Sequence, residues 1–190
     1  MLLRYNLLFI VFLMFQVAFT TCGGSLGADS IGHKPRLREP RSISASFDQL
    51  GEVLRDSSHD ARMIIYRGLP RRPTDKTDDA RLKRDQVVRR YGEEFYPEPV
   101  PTESETQQSI GRVLVNPDSY RRFKGFKFCG GFHPDFAIVL QVEGGEIEFQ
   151  FCQTCQEMKV FRGRKEVYCD VQVEAYKTMK SLLSKLKQDH

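Results

Sequence analysis

The sequence predicts an α+β fold: an antiparallel β-sheet, running as a meander through the C-terminal third, packed by helices that include a C-terminal one. Three observations predict it. Phe136, Ile138, Leu140 and Val142 alternate with their neighbours, and after Gly144-Gly145 the alternation resumes at Ile147, Phe149 and Phe151. Two further strand-like runs follow, Met158 to Phe161 and Glu166 to Cys169, separated by the turn residue Gly163. Ala175, Met179, Leu182 and Leu186 then share one helical stripe. Period 2 marks strands with one face on a core, and a period near 3.6 marks a helix laid against them. Strands joined by short turns and followed by a helix give α+β architecture.

In chain order, the first segment is read as an export signal. Arg4 precedes the apolar run Leu7 to Phe15, and small and polar residues fill Thr20 to Gly27. That layout predicts a secretory signal peptide over residues 1–28, with a run too short for a permanent membrane span. Cleavage after Leu26-Gly27-Ala28 gives a soluble exported chain. The alternative is lipidation of Cys22, since Phe19-Thr20-Thr21-Cys22 approximates a lipoprotein motif with Thr where a smaller residue is usual. Soluble export is the leading expectation, and both routes end in an oxidising compartment. Residues 29–45, charged and Pro-containing without period, are expected to be a flexible linker, and residues 46–190 a single domain.

Within that domain Ser46 and Gln49 suggest a capping box opening a helix from Phe47 to Arg55, with Phe47, Leu50 and Leu54 on one face. Met63 to Tyr66 is short and β-branched, bounded by Gly68 and Pro70, and reads as a buried strand. A helix with a thin apolar stripe fits Asp78 to Tyr91. Phe95 to Pro101 must be extended, because each Pro pushes its predecessor out of the helical region. Thr102 with Glu105 suggests a second capping box, opening a helix to Val115 that Asn116-Pro117 ends. The Gly144-Gly145 hairpin is expected to have one buried face and one partly wet face.

Composition narrows the classes. The 190 residues are 40% hydrophobic and 28% charged, with 14 Phe, 7 Tyr and 5 Cys. Mean hydropathy is −0.45. Those values exclude collagen, coiled coil and a wholly disordered chain, and allow one domain of ordinary size. A net charge of +4, mixed along the chain, is too small to indicate a nucleic-acid partner. No phosphate-binding Gly loop, zinc-protease helix motif, G-x-S-x-G or paired-carboxylate signature is present.

The chemistry sits in the cysteines. Cys129, Cys152, Cys155 and Cys169 lie in the sheet region, with His133 four residues after Cys129. Four cysteines in an exported chain suggest a disulfide framework, whose pairing spacing alone leaves open. Cys152 and Cys155 flank Gln153-Thr154, expected to be a two-residue turn, so a zinc knuckle completed by Cys129, His133 or Cys169 is the second reading. Thiol redox chemistry is the third, weakened because a catalytic C-x-x-C sits at a helix N-terminus and this one continues into a strand. His133-Pro134-Asp135 reads as a tight turn with Asp135 on local amides, and otherwise as a His–Asp acid/base pair.

Phe128-Cys129-Gly130-Gly131-Phe132-His133-Pro134-Asp135, Phe151-Cys152-x-x-Cys155-Gln156-Glu157 and Val167-Tyr168-Cys169-Asp170 resemble a family of small uncharacterised exported bacterial proteins. Tyr66-x-Gly68-Leu69-Pro70 and Phe95-Tyr96-Pro97-Glu98-Pro99 fit the same layout, so the resemblance spans about residues 45–187. It implies export, in some members as lipoproteins, and one compact domain, but no activity. The leading functional expectation is a non-catalytic protein of the periplasm, cell envelope or extracellular space that binds or scaffolds an envelope component. It would touch the membrane only through lipidated Cys22, with Cys129, His133, Cys152, Cys155 and Cys169 as a structural cluster and no certain cofactor. A zinc-binding or thiol-redox protein comes second, and a hydrolase using His133 and Asp135 third.

Overall fold

A computed structural model describes residues 43–70, 87–125 and 131–186 of the chain. The signal segment, Cys22, most of the expected linker, the first part of the Asp78–Tyr91 helix and Cys129 lie outside the described residues.

The elements in chain order are β1 Ile43–Ala45, a 3-10 turn Phe47–Gln49 running into α1 Leu50–Val53, β2 Met63–Arg67, β3 Val88–Arg90, β4 Glu93–Phe95, α2 Ser104–Val115, β5 Tyr120–Arg122, β6 Phe136–Val142, β7 Gly145–Cys152, β8 Glu157–Arg162, β9 Lys165–Val171 and α3 Val173–Lys185. The expected α+β class and C-terminal helix are present. Among the described residues seven strands make one mixed sheet, ordered β1-β9-β8-β7-β6-β2 with β5 also on β9, while β3 and β4 form a separate hairpin. β6 to β9 pair antiparallel with their sequence neighbours, with Ile138 opposite Phe149, Phe149 opposite Val160 and Val160 opposite Val167.

Two short strands share the outer edge of β9. β1 runs parallel along its first half, and β5 antiparallel along its second. β1 therefore draws Ile43–Ala45, inside the expected linker, into the sheet. At the other edge the Pro-rich segment after β4 runs beside β2 but bends at Pro97–Glu98, where an extended run was expected. The Tyr96 N–H donates to the Arg67 carbonyl (2.9 Å) and the Val100 N–H to the Ile65 carbonyl (2.7 Å). Edges occupied by short strands and Pro-rich chain offer little template for pairing with another molecule.

One sheet face carries the core. Ile65, Phe136, Ile138, Leu140, Ile147, Phe149, Phe151, Met158, Val160 and Val167 are buried there, against Leu50 and Val53 of α1, Ile110 and Leu114 of α2, and Met179 and Leu183 of α3. Each fully buried side chain of this size contributes about 1.5–3 kcal/mol, so this layer dominates stability. The stripe expected on the last helix includes Leu183 besides Met179, with Ala175, Leu182 and Leu186 at its margin.

Several local expectations are corrected. Neither capping box forms. Ser46 makes no side-chain cap, and the second helix starts after Glu103 while Thr102 donates from its hydroxyl to the Val100 carbonyl (3.0 Å). Val88–Arg90, at the end of the expected helix, is a strand that turns back through Tyr91-Gly92, because β4 offers it cross-strand partners. Residues 153–156 all belong to the β7–β8 turn, so Cys155 lies inside it, and Cys152 pairs with Glu157 instead. The hairpin's second face is wet only at its turn end, at Gln141 and Glu146, while Glu148 and Gln150 are fully buried.

Candidate functional site

Four of the runs singled out in the sequence converge at the end of the sheet where β7 stops. Gly68 lies so close to Pro134 that an added Cβ would sit 2.0 Å from the Pro134 carbonyl oxygen. Its N–H donates to the Asp135 carbonyl (2.8 Å), and the Asp135 N–H donates to Phe151 (2.8 Å). The Asp135 carboxylate accepts from the Gln153 N–H (2.8 Å). Asp135 therefore ties its loop to the distant β7–β8 turn, where a bond to local amides was expected. A recess of about 320 Å³ remains, walled by Arg67, Leu69, Pro70, Tyr96, His133 and Asp135. The Arg67 guanidinium stacks over the Tyr96 ring at 4.4 Å. Among the described residues no hydrogen bond or ion pair joins the His133 ring to the Asp135 carboxylate. Arg67 and Tyr96 were not predicted as site residues; the Tyr66–Pro70 and Phe95–Pro99 runs were their only signal.

Among the described cysteines, Cys169 lies on the other sheet face from Cys152, while the Cys155 and His133 backbone amides lie at the Cys152 sulfur. Cys155 is disulfide-bonded. Cys152 and Cys169 are free and buried. Cys169 packs in the core beside Val167 and Val171, with its thiol donating to the Met158 carbonyl (3.5 Å). Cys152, in phase with Glu148 and Gln150, faces the opposite side of the sheet. Those two sulfurs cannot share an ion, because alternate strand residues point to opposite faces. Among the described residues no group of three or more His, Cys, Asp or Glu side chains is placed to hold a metal. Burial pushes the Cys152 thiol up, outweighing the backbone amides of Cys155 and His133 that point at its sulfur. Burial, then the Asp170 carboxylate, pushes Cys169 well above the ordinary thiol range. Both thiols are held protonated, the unreactive form.

The same outer face carries a row of buried polar groups. Glu148, Gln150, Glu157 and Asp170 are all at most 2% exposed, which requires partners. The β3–β4 hairpin supplies Arg90, which donates to both Glu146 and Glu148, and whose carbonyl accepts from Gln150 (3.0 Å). Tyr168 donates to Glu157 (2.6 Å), and its ring stacks on Phe123 at 4.4 Å. Burial, reinforced by Glu157, pushes the Tyr168 phenol far up. Arg121 lies 3.6 Å from Asp170. Most of these groups find partners within the row, though Gln150 Oε1 and Arg121 Nε are buried without a hydrogen bond to any described residue; the His133 recess stays open.

No protein-family model, curated protein or solved structure matches the chain.

Proposed function

We propose that this chain is an exported, non-catalytic binding domain whose ligand seat is the recess of Arg67, Tyr96 and His133. The open recess carries the reading. It offers the Arg67 guanidinium over the Tyr96 ring, with His133 lining the same recess and Asp135 tied to the Gln153 amide, which suits a small ligand presenting a carboxylate. The nearest described thiol, Cys152, is buried, and that burial pushes the thiol up, which disfavours a reactive thiolate at this mouth. The disulfide at Cys155 supports export to an oxidising compartment, as do the leader pattern over residues 1–28 and the resemblance to exported proteins.

Acetate, the smallest carboxylate probe, tests the seat. Titration should shift the His133 and Tyr96 ring resonances saturably in the wild type, and not in Arg67→Gln. Absence of any saturable shift sinks the binding reading. Turnover of a 4-nitrophenyl ester that disappears in His133→Ala would establish the hydrolase reading in its place.

A further inference from the structure

We infer that the opposite end of the sheet carries a second binding site, an arginine cleft that takes a ligand with two acidic groups on a flat body. The cleft encloses about 520 Å³ around Tyr91, between Arg89, Arg90, Arg162 and Arg164, with Glu146 as its lining carboxylate. It sits at the β6–β7 and β8–β9 turns. His133 precedes the other end of β6, and the seven residues of that strand span on the order of 20 Å. The two sites are therefore separate.

The four arginines are not equivalent. Arg90 is committed to Glu146 and Glu148. Arg162 donates to the Arg55 carbonyl (2.5 Å), closing the end of α1. These two are walls. Arg89 pairs with Glu94, but the side chains are 41% and 44% exposed, so the pair is weak and open to exchange. Arg164 makes no hydrogen bond or ion pair with any described residue. Two available guanidiniums thus stand on two different hairpins, Arg89 on strand β3 beside the Tyr91-Gly92 turn and Arg164 on the β8–β9 turn. Each suits planar, bidentate recognition of an acidic group.

Tyr91 gives the second, independent indication. Its φ of +48° places a bulky side chain in the left-handed region, where a hairpin turn ordinarily uses Asn, Asp or Gly. The ring is stacked on Phe161 (4.0 Å, 11° between planes), and its hydroxyl donates to the Gly163 carbonyl (3.0 Å). An aromatic residue held in a strained conformation at the centre of a cleft is the pattern that binding sites impose on backbone. A Cβ added at Gly144, Gly145 or Gly163 would meet nothing within 4 Å, so this part of the cleft stays open. The product is a flat aromatic surface with a cation on either side.

Calorimetry on the full domain at low salt tests this with inorganic pyrophosphate, trigalacturonate and neutral maltotriose. At least one acidic probe should bind saturably at roughly millimolar concentration while maltotriose does not. Arg89→Ala and Arg164→Ala, both at exposed positions, should each weaken that binding about tenfold. The double variant should abolish it, while His133→Ala leaves it unchanged. Pyrophosphate binding alone would assign a phosphoryl ligand, and trigalacturonate binding alone a carboxylate one. Failure of both acidic probes, or binding indifferent to Arg89 and Arg164, overturns the inference without touching the His133 recess.

Discussion

Gly68→Ala isolates the contact that shapes the His133 recess. The backbone at Gly68 is not left-handed, so alanine can adopt its conformation, and only the space is wrong. The new methyl would sit 2.0 Å from the Pro134 carbonyl oxygen, where contacts under 3.0 Å are essentially never found, so β2 and the His133–Asp135 run must separate by about 1 Å. That movement strains or breaks the Gly68 N–H bond to Asp135. Overpacking costs about 1–3 kcal/mol, and a lost hydrogen bond about 0.5–1.5 kcal/mol. Reduced freedom of the unfolded chain returns about 0.4–1 kcal/mol. The midpoints give a net of about 2 kcal/mol, or a fall in Tm on the order of 4–8 °C for a domain of this size. Gly51→Ala is the control. It lies on exposed α1 with nothing within 4 Å of its Cβ, and should be neutral or stabilising by up to about 1 kcal/mol. Urea and thermal unfolding of the three proteins measure this. A Gly68→Ala variant within about 0.5 kcal/mol of wild type would show that the Tyr66–Pro70 run does not pack on the His133 loop as described.

Three further predictions concern the two sheet faces. Without reductant, Cys152 and Cys169 should be alkylated only after unfolding and Cys155 not at all, as peptide mapping would show; labelling of either thiol in the native protein contradicts its burial. Tyr168→Phe removes the donor to buried Glu157 and should cost about 1.5–3 kcal/mol in urea unfolding, whereas a loss below about 0.5 kcal/mol would count against that bond. Burial raises the Glu148 carboxyl in the folded chain, despite Arg90, so the folded state holds more protons than the unfolded one and stability from this group is lost as pH rises from about 4.5 through the raised value. Glu148→Gln should therefore gain stability relative to wild type between about pH 4.5 and neutrality, and a flat or falling difference refutes the shift.

The parts of the fold legible in sequence are those where one local pattern decides the outcome. Phe136 to Val142 and Ile147 to Phe151 alternate on either side of Gly144-Gly145, and the structure buries nearly all of that phase in the core. The last helix follows from its stripe for the same reason. β1 was not legible, because Ile43–Ala45 becomes a strand only by pairing in parallel with Lys165–Val167, far along the chain. The β3–β4 hairpin hides for a related reason: its strands are Arg- and Glu-rich, and Tyr91 stands where turn chemistry favours Asn or Gly. The hairpin in turn covers Glu148 and Gln150, so the polar phase of β7, which reads as solvent-facing, is buried. The separation of the thiols, by contrast, was legible. Cys169 is in phase with Val167 and Val171, Cys152 with Glu148 and Gln150, and period 2 alone puts them on opposite faces.

That separation decides how the cysteine-rich sheet should be understood. A metal knuckle or exchange-active dithiol needs sulfurs that converge, and at least one ready to lose its proton. Here one thiol serves as a small core residue, one sits beneath the His133 loop, and the third is bonded. Two of the recesses among the described residues open at the sheet's ends, and both present arginine beside an aromatic ring: Arg67 on Tyr96 at one, Arg89 and Arg164 about Tyr91 at the other. The buried Tyr168–Glu157 and Arg90–Glu148 pairs lie between them on the outer face, where their loss would loosen the loops that carry both sites. Variants such as Tyr168→Phe should therefore weaken ligand binding in proportion to local unfolding, whereas Arg67 and Arg164 variants should weaken it at unchanged stability. Measuring affinity and unfolding on the same set of proteins separates residues that contact ligand from residues that only hold the sheet's outer face together.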